Sequence, residues 1–187
     1  MSLKFEVINP KLAGLAGSFT VNPDSCENPL FYEMYLRFIA YTDLCSGENT
    51  THVLYDDESN EIHGFISLRA SAVISAENVT KGEPAIEISV LAVAQNHERQ
   101  GIGRLLVDYA VSEADRLHKE IFGVKNLVLV ADHKAVGFYE KYGFSVIGDY
   151  KEIPRVNWNK ECVPMILPLA FDLGPTYASE DDDEWEF

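Results

Sequence analysis

Glu98-Arg99-Gln100-Gly101-Ile102-Gly103-Arg104 is the stretch on which the reading of this chain turns. Before it lies a strand pattern, Ile86, Ile88 and Val90 against Glu87, Ser89 and Leu91, within Ala85 to Ala94. After it comes the clearest helix, Gly103 to Phe122, with Leu106, Ala110, Ala114, Leu117 and Ile121 on one apolar stripe. A strand running through glycines into a helix makes an anion site. The helix start offers unpaired N–H groups and the positive end of the macrodipole, and glycine lets a phosphate approach the backbone. Arg99 and Arg104 add charge-assisted donors. A dinucleotide fingerprint is excluded because Leu106 stands where a third glycine belongs, and a P-loop because no Gly-Lys-Ser/Thr follows.

Outward from the turn, Gly123 closes the long helix and Leu127 to Val130 reads as a strand buried on both faces. Lys134 to Tyr142 reads as a short helix closed by Gly143, and Phe144 to Ile147 and Val163 to Leu167 as the last strands. Upstream, Lys4 to Ile8 is a first strand, and Leu12 to Asn28 a loop or weak helix. Pro29 to Leu44 is a helix with Asn28 as N-cap and Phe31, Tyr35, Phe38 and Ile39 at three- and four-residue spacing. Thr51 to Tyr55 and Ile62 to Val73 form a hairpin around Asp56-Asp57-Glu58-Ser59-Asn60. The order predicts a mixed α/β (α+β) domain with one central sheet.

The chain has 187 residues, 47% of them hydrophobic, enough for one packed domain. No apolar run reaches the roughly 18–20 residues of a membrane helix, and the N-terminus lacks a signal-peptide pattern. Cys26, Cys45 and Cys162 form neither a disulfide framework nor a CxxC pair, which reads as reduced thiols in a cytoplasmic protein. Net charge is −15. Six of the acids lie in 180–186, so the body is acidic too. That field argues against nucleic acid and favours a basic amine. His52, His63, His97, His118 and His133 are scattered with no acid partner at metal-ligand spacing, so no metal is expected. His97 and His133 read as solvated loop residues, and Cys162 as a small packed residue.

Strand, turn and helix together resemble motif A of the GNAT superfamily of N-acetyltransferases, Gln/Arg-x-x-Gly-x-Gly/Ala. A second match follows: Asp132-His133-Lys134-Ala135-Val136-Gly137-Phe138-Tyr139-Glu140-Lys141-Tyr142-Gly143-Phe144 is similar to motif B, Asn-x-x-Ala-x-x-Phe-Tyr-x-x-x-Gly-Phe. The likeness covers roughly 62–169. It implies an acyl-CoA N-acyltransferase fold, a mostly antiparallel sheet of six to seven strands flanked by about four helices. It divides the chain into one domain, 1–172, and an acidic tail, 173–187. Glu98 departs from the family's Gln or Arg and is expected to point away, with Arg99 compensating. Asp132 replaces the usual Asn; it caps the short helix but cannot donate an amide to a cofactor.

The resemblance also implies the chemistry. Acetyl-CoA is the cosubstrate, with its pyrophosphate on Arg99, Gln100, Gly101, Ile102, Gly103 and Arg104. Its pantetheine arm runs along Leu91, Ala92 and Val93, and Asp132, Phe138 and Tyr139 stand near it. A bound primary amine attacks the thioester directly in a ternary complex. Glu87, eleven residues before Glu98, matches the offset of a general base. A solvated strand residue, with a water relay as base, is the alternative. Tyr139 is the counterpart of the general acid that protonates the leaving thiolate, or else it packs on the pantetheine. Tyr32, Tyr35 and Arg37 wall the acceptor site or pack in the core, and 151–161 adds loops to that site. A homodimer through the last strands is implied by the family. Two rivals remain: a toxin-type enzyme acetylating aminoacyl-tRNA, if Arg99, Arg104, Lys119, Lys125 and Lys134 cluster, and a non-catalytic acyl-CoA-binding module. The tail is a solvating end, or Trp185 or Phe187 docks on a partner.

Overall fold

The computed structural model describes residues 3–74, 82–147 and 162–170. The expectations for the 151–161 loops and for the acidic tail lie outside them. Among the described residues, seven strands form one sheet: β1 (Leu3–Val7), β2 (Thr50–Asp56), β3 (Glu61–Ile74), β4 (Gly82–Val93), β5 (Asn126–Asp132), β6 (Ser145–Val146) and β7 (Cys162–Pro168), in the order β1-β2-β3-β4-β5-β7-β6. Every neighbouring pair is antiparallel except β4 with β5. The parallel pair is joined through α4 (Ile102–Glu120), as a parallel connection requires a long crossover.

Helices cover both faces. On one side lie α1 (Pro10–Leu15), α2 (Pro29–Met34) and α3 (Ala40–Ser46), the last two joined by a π-turn at Tyr35–Ile39. On the other lie α4 and α5 (Val136–Tyr142). Two cores result. Leu106, Val107, Ala110 and Ala114 of α4 pack on Ile66, Ile86, Ile88 and Leu127. Leu12, Tyr35, Leu36 and Ala40 pack on Val53, Phe65, Val90 and Ala92. Each large side chain buried in these layers contributes roughly 1.5–3 kcal/mol. Asn9 and Asn28 cap α1 and α2, each accepting an N–H three residues on, with Pro at the first helical position of both.

Three expectations are corrected. Within Leu12 to Asn28, read as loop or weak helix, only the start is helical, and the helix begins earlier, at Pro10, since Asn9-Pro10 supplies a complete start signal. On the early helix, Tyr35, Leu36 and Ala40 are buried, whereas Phe31, Phe38 and Ile39 are exposed. The π-turn inserts one extra residue and rotates the buried face, so a regular period picks the wrong ring. Ile121 is exposed because α4 ends at Glu120, one turn before Gly123. Among the described residues, no helix is long and apolar enough to cross a membrane.

Candidate active site

The centre of the sheet opens at one residue. Ser67 of β3 faces Val90 and Leu68 faces Ile88, which leaves Ser89 as a bulge on β4. The β4–β5 ladder stops at the same place, with Ile88 opposite Leu129 as its last pair. β5 continues beside β7 as far as Asp132. A bulge bends and twists its strand, so β4 and β5 diverge beyond Ser89. Between them lies a cleft of about 1160 Å³.

Backbone forms the floor of this cleft. Ala94 N–H bonds His63 O across to β3 at 2.9 Å. By antiparallel alternation, the N–H and C=O groups of Leu91 and Val93 point to the open side. At the far end, Gly101 has φ +83 and precedes α4 with no side-chain cap and no acid in the first turn. The first N–H groups of α4 therefore point outward at the positive end of a 19-residue helix. Arg99 shares the left-handed backbone, φ +59, a cost borne where function concentrates. Gly64 sets the helix close to the sheet: a Cβ there would lie 2.9 Å from Ala92 O and 3.1 Å from Leu106 Cδ1.

Side chains form the other wall. Glu87 is 4% exposed, and both its oxygens bond Arg69, Oε2 to Nε at 3.0 Å and Oε1 to Nη2 at 2.9 Å. It is not the solvated strand residue of the alternative reading. Ser89 Oγ donates to Asn49 Oδ1 at 2.6 Å; Asn49 Nδ2 donates to Asp43, as does Tyr35 OH. Residues 22–28 cross the mouth. Asn22 donates to Glu98 Oε2 at 2.9 Å, Glu27 N–H to Asp132 Oδ2 at 2.8 Å, and Lys134 Nζ to Cys26 O at 3.2 Å. Glu98 is thus held by the strap, and Asp132 also caps the turn into α5 through Lys134 N–H.

Tyr139 is buried between Phe138 and Phe144 and reaches the cleft. Burial chiefly, then the charge of Tyr32, pushes its hydroxyl well above the usual tyrosine range. Tyr32, also on the cleft, is pushed up to about 12, chiefly by burial and then by Asp132. Burial also raises the Cys26 thiol, which keeps it protonated and unsuited to nucleophilic work.

The cleft gathers Glu87, Leu91, Ala92, Val93, Arg99, Gly101, Gly103, Arg104, Asp132, Phe138 and Tyr139. It leaves out two expected side chains. Gln100 folds back onto Asn96 O, and Ile102 is buried in the core. Of the early-helix trio only Tyr32 lines the cleft; Tyr35 is core, and Arg37 bonds Gly17 O. The histidines are not scattered: His63 and His97 stack beside Glu61. Sequence reasoning missed Arg69, Asn49 and Ser89. The signal for Arg69 was its position opposite Glu87, which the register gives only once the bulge is known.

Comparison with known proteins agrees with this geometry. Residues 47–146 match the family model described as an acetyltransferase (GNAT) domain. No curated protein matches the sequence. Among solved structures, a mutant of KacT aligns with TM-score 0.70 at 16% identity, over 90% of this chain and 95% of that one. A mutant AtaT toxin bound to the C-terminus of the antitoxin AtaR and acetyl-CoA gives 0.66 at 16%, covering 90% and 94%. AtaT complexed with acetyl-methionyl-tRNA gives 0.67 at 17%, covering 89% and 95%. At these identities the likeness is one of fold. The family match spans the bulged strand, the uncapped helix and Tyr139 alike, and the chain belongs to the GNAT family of acetyltransferases.

Proposed function

We propose that this chain transfers an acetyl group from acetyl-CoA to a primary amine by direct attack in a ternary complex. The observation that carries the reading is the parting of β4 and β5 at Ser89, ending at an uncapped helix start. In this reading the pyrophosphate rests on the N–H groups after Gly101, with Arg99 and Arg104 beside it. Leu91 and Val93 bond the pantetheine amides and the thioester carbonyl, where one aligned donor is worth roughly 10²–10³ in rate. The amine nitrogen attacks the carbonyl carbon, the C–S bond breaks, and the thiolate takes a hydrogen bond and a proton from Tyr139. Burial keeps that phenol protonated, as a donor must be. Glu87 is the base. Arg69 holds both of its oxygens, and the carboxylate takes the amine proton directly or through water.

Titration calorimetry with acetyl-CoA, against NADH and ATP, tests the cofactor assignment. Selective binding that Gly101→Glu weakens supports it, and a panel of amines with a thiol-release readout then identifies the acceptor. A folded protein that ignores acetyl-CoA overturns it.

One observation favours a narrower reading, the amino group of an aminoacyl-tRNA: a neighbouring fold was solved with acetyl-methionyl-tRNA. Charge opposes it. Lys119 and Lys125 are paired with Asp115 and Glu83, which leaves Arg99, Arg104 and Lys134 on the cleft in a chain of net charge −15. RNA binding that falls steeply with salt would reverse that judgement.

A further inference from the structure

Outside the cleft, three metal-ligating side chains converge. Glu61 and His63 stand two residues apart on β3, with His63 the surplus residue of a bulge between Ile62, opposite Tyr55, and Gly64, opposite Leu54. His97 ends the 3-10 turn Gln95–His97 that leads into Glu98–Gly101, and the bond from Ala94 N–H to His63 O fixes that turn against β3. The ligand atoms of all three lie within 4.8 Å of one another.

Their hydrogen bonding is incomplete. His63 is 1% exposed, and its Nε2 has no partner among the described residues. Neither ring nitrogen of His97 has one; Nε2 lies 3.0 Å from Glu61 Oε1 without the alignment of a hydrogen bond. The rings stack at 3.5 Å and 12°. A buried polar atom left unmet costs roughly 1–3 kcal/mol, and an imidazole stack does not return it.

We propose that Glu61, His63 and His97 form a site for a divalent transition-metal cation of the zinc class, at the root of the turn that leads to the cofactor cleft. Two imidazoles and a carboxylate suit such an ion, with water as the fourth ligand. Tetrahedral bonds of about 2.0–2.1 Å need ligand atoms about 3.3 Å apart. The exposed Glu61 carboxylate already meets that distance to His97, and rotation of the two rings out of their stack supplies the rest. Asp56, opposite Glu61 in the β2–β3 ladder and buried, adds negative charge beside the site.

The test is a titration of chelator-treated full-length protein with Co²⁺, read by visible absorption, and with Zn²⁺, read by calorimetry. The expected result is one ion per chain with the d–d bands of a tetrahedral nitrogen–oxygen site. Glu61→Gln, at an exposed position that leaves the fold intact, and His97→Asn each weaken it more than about tenfold. His118→Asn and Cys45→Ser leave it unchanged. Failure to bind, equal affinity in Glu61→Gln and His97→Asn, or thiolate bands lost in Cys45→Ser overturns the site and leaves a stacked histidine pair beside an acid.

Discussion

Along 91–104 the cleft is walled by main chain: an open strand edge, a left-handed glycine and a helix start. Across from it, along 22–69, the wall consists of side chains that hold one another, Arg69 on Glu87, Asn49 on Ser89 and Asp43, Asn22 on Glu98. A wall of peptide groups recognises what every such cofactor shares, a phosphate and an amide arm, and needs only glycine and strand geometry. A wall of interlocked side chains can change one residue at a time. Substitutions on the two walls therefore fail differently.

The largest effect should come from the group placed between the walls. Tyr139→Phe should lower kcat by roughly 10²–10⁴ with little change in KM for acetyl-CoA, measured by steady-state thiol release. An unchanged kcat would reduce Tyr139 to packing. Because burial raises its hydroxyl, the pH profile of kcat should show no alkaline limb from this residue below about pH 10. Gly101→Glu strikes the main-chain wall. It sets a carboxylate at a helix start and forces a side chain to φ +83. Acetyl-CoA affinity should fall on the order of 10²-fold by calorimetry, with the KM of the acceptor barely moved.

Glu87→Gln strikes the other wall. It should cost about 2–3 kcal/mol of stability in urea unfolding, less than a fully buried pair because Arg69 is partly exposed. If Glu87 is the base, the acid limb of kcat disappears with it, while Arg69→Ala keeps that limb. If both variants merely raise the KM of the acceptor, Glu87 anchors the acceptor instead. Gly64→Ala tests how closely α4 must sit on the sheet. A methyl 2.9 Å from Ala92 O should cost roughly 1–3 kcal/mol, seen as a lower Tm. The smallest effect concerns His52, away from both walls, where burial lowers the pKa and Tyr109 OH lies 2.9 Å from Nδ1. A depressed histidine stabilises the fold above its unfolded value of about 6.5 and loses that contribution as pH falls. His52→Gln should flatten the drop in Tm between about pH 7 and 5.

The same division governs what the sequence disclosed. Gly101 and Gly103 were legible because main-chain sites need particular residues at fixed local spacing, and Tyr139 because it sits at fixed spacing from Gly143 in a local motif. The strands and the long helix were legible from their periods to within a residue or three at each end. Arg69 and Asn49 were not, because they meet Glu87 and Ser89 across loops whose register depends on one surplus residue. The face of the early helix was misread for a kindred reason: a π-turn, like a bulge, shifts the count without leaving a pattern in the residue types. His63 and His97, 34 positions apart, meet only because β3 and β4 pair.

That surplus residue has a consequence for what the fold can lose. Ile88 already faces the α4 core, and Val90 and Ala92 the opposite one. Removing Ser89 would therefore leave every neighbour on its present face and restore plain alternation. β4 would straighten, and its ladder with β5 would be free to zip on past Leu129. The deletion makes a tidier sheet with no slot in it. A lineage could shed the enzyme and keep the protein by dropping a single codon.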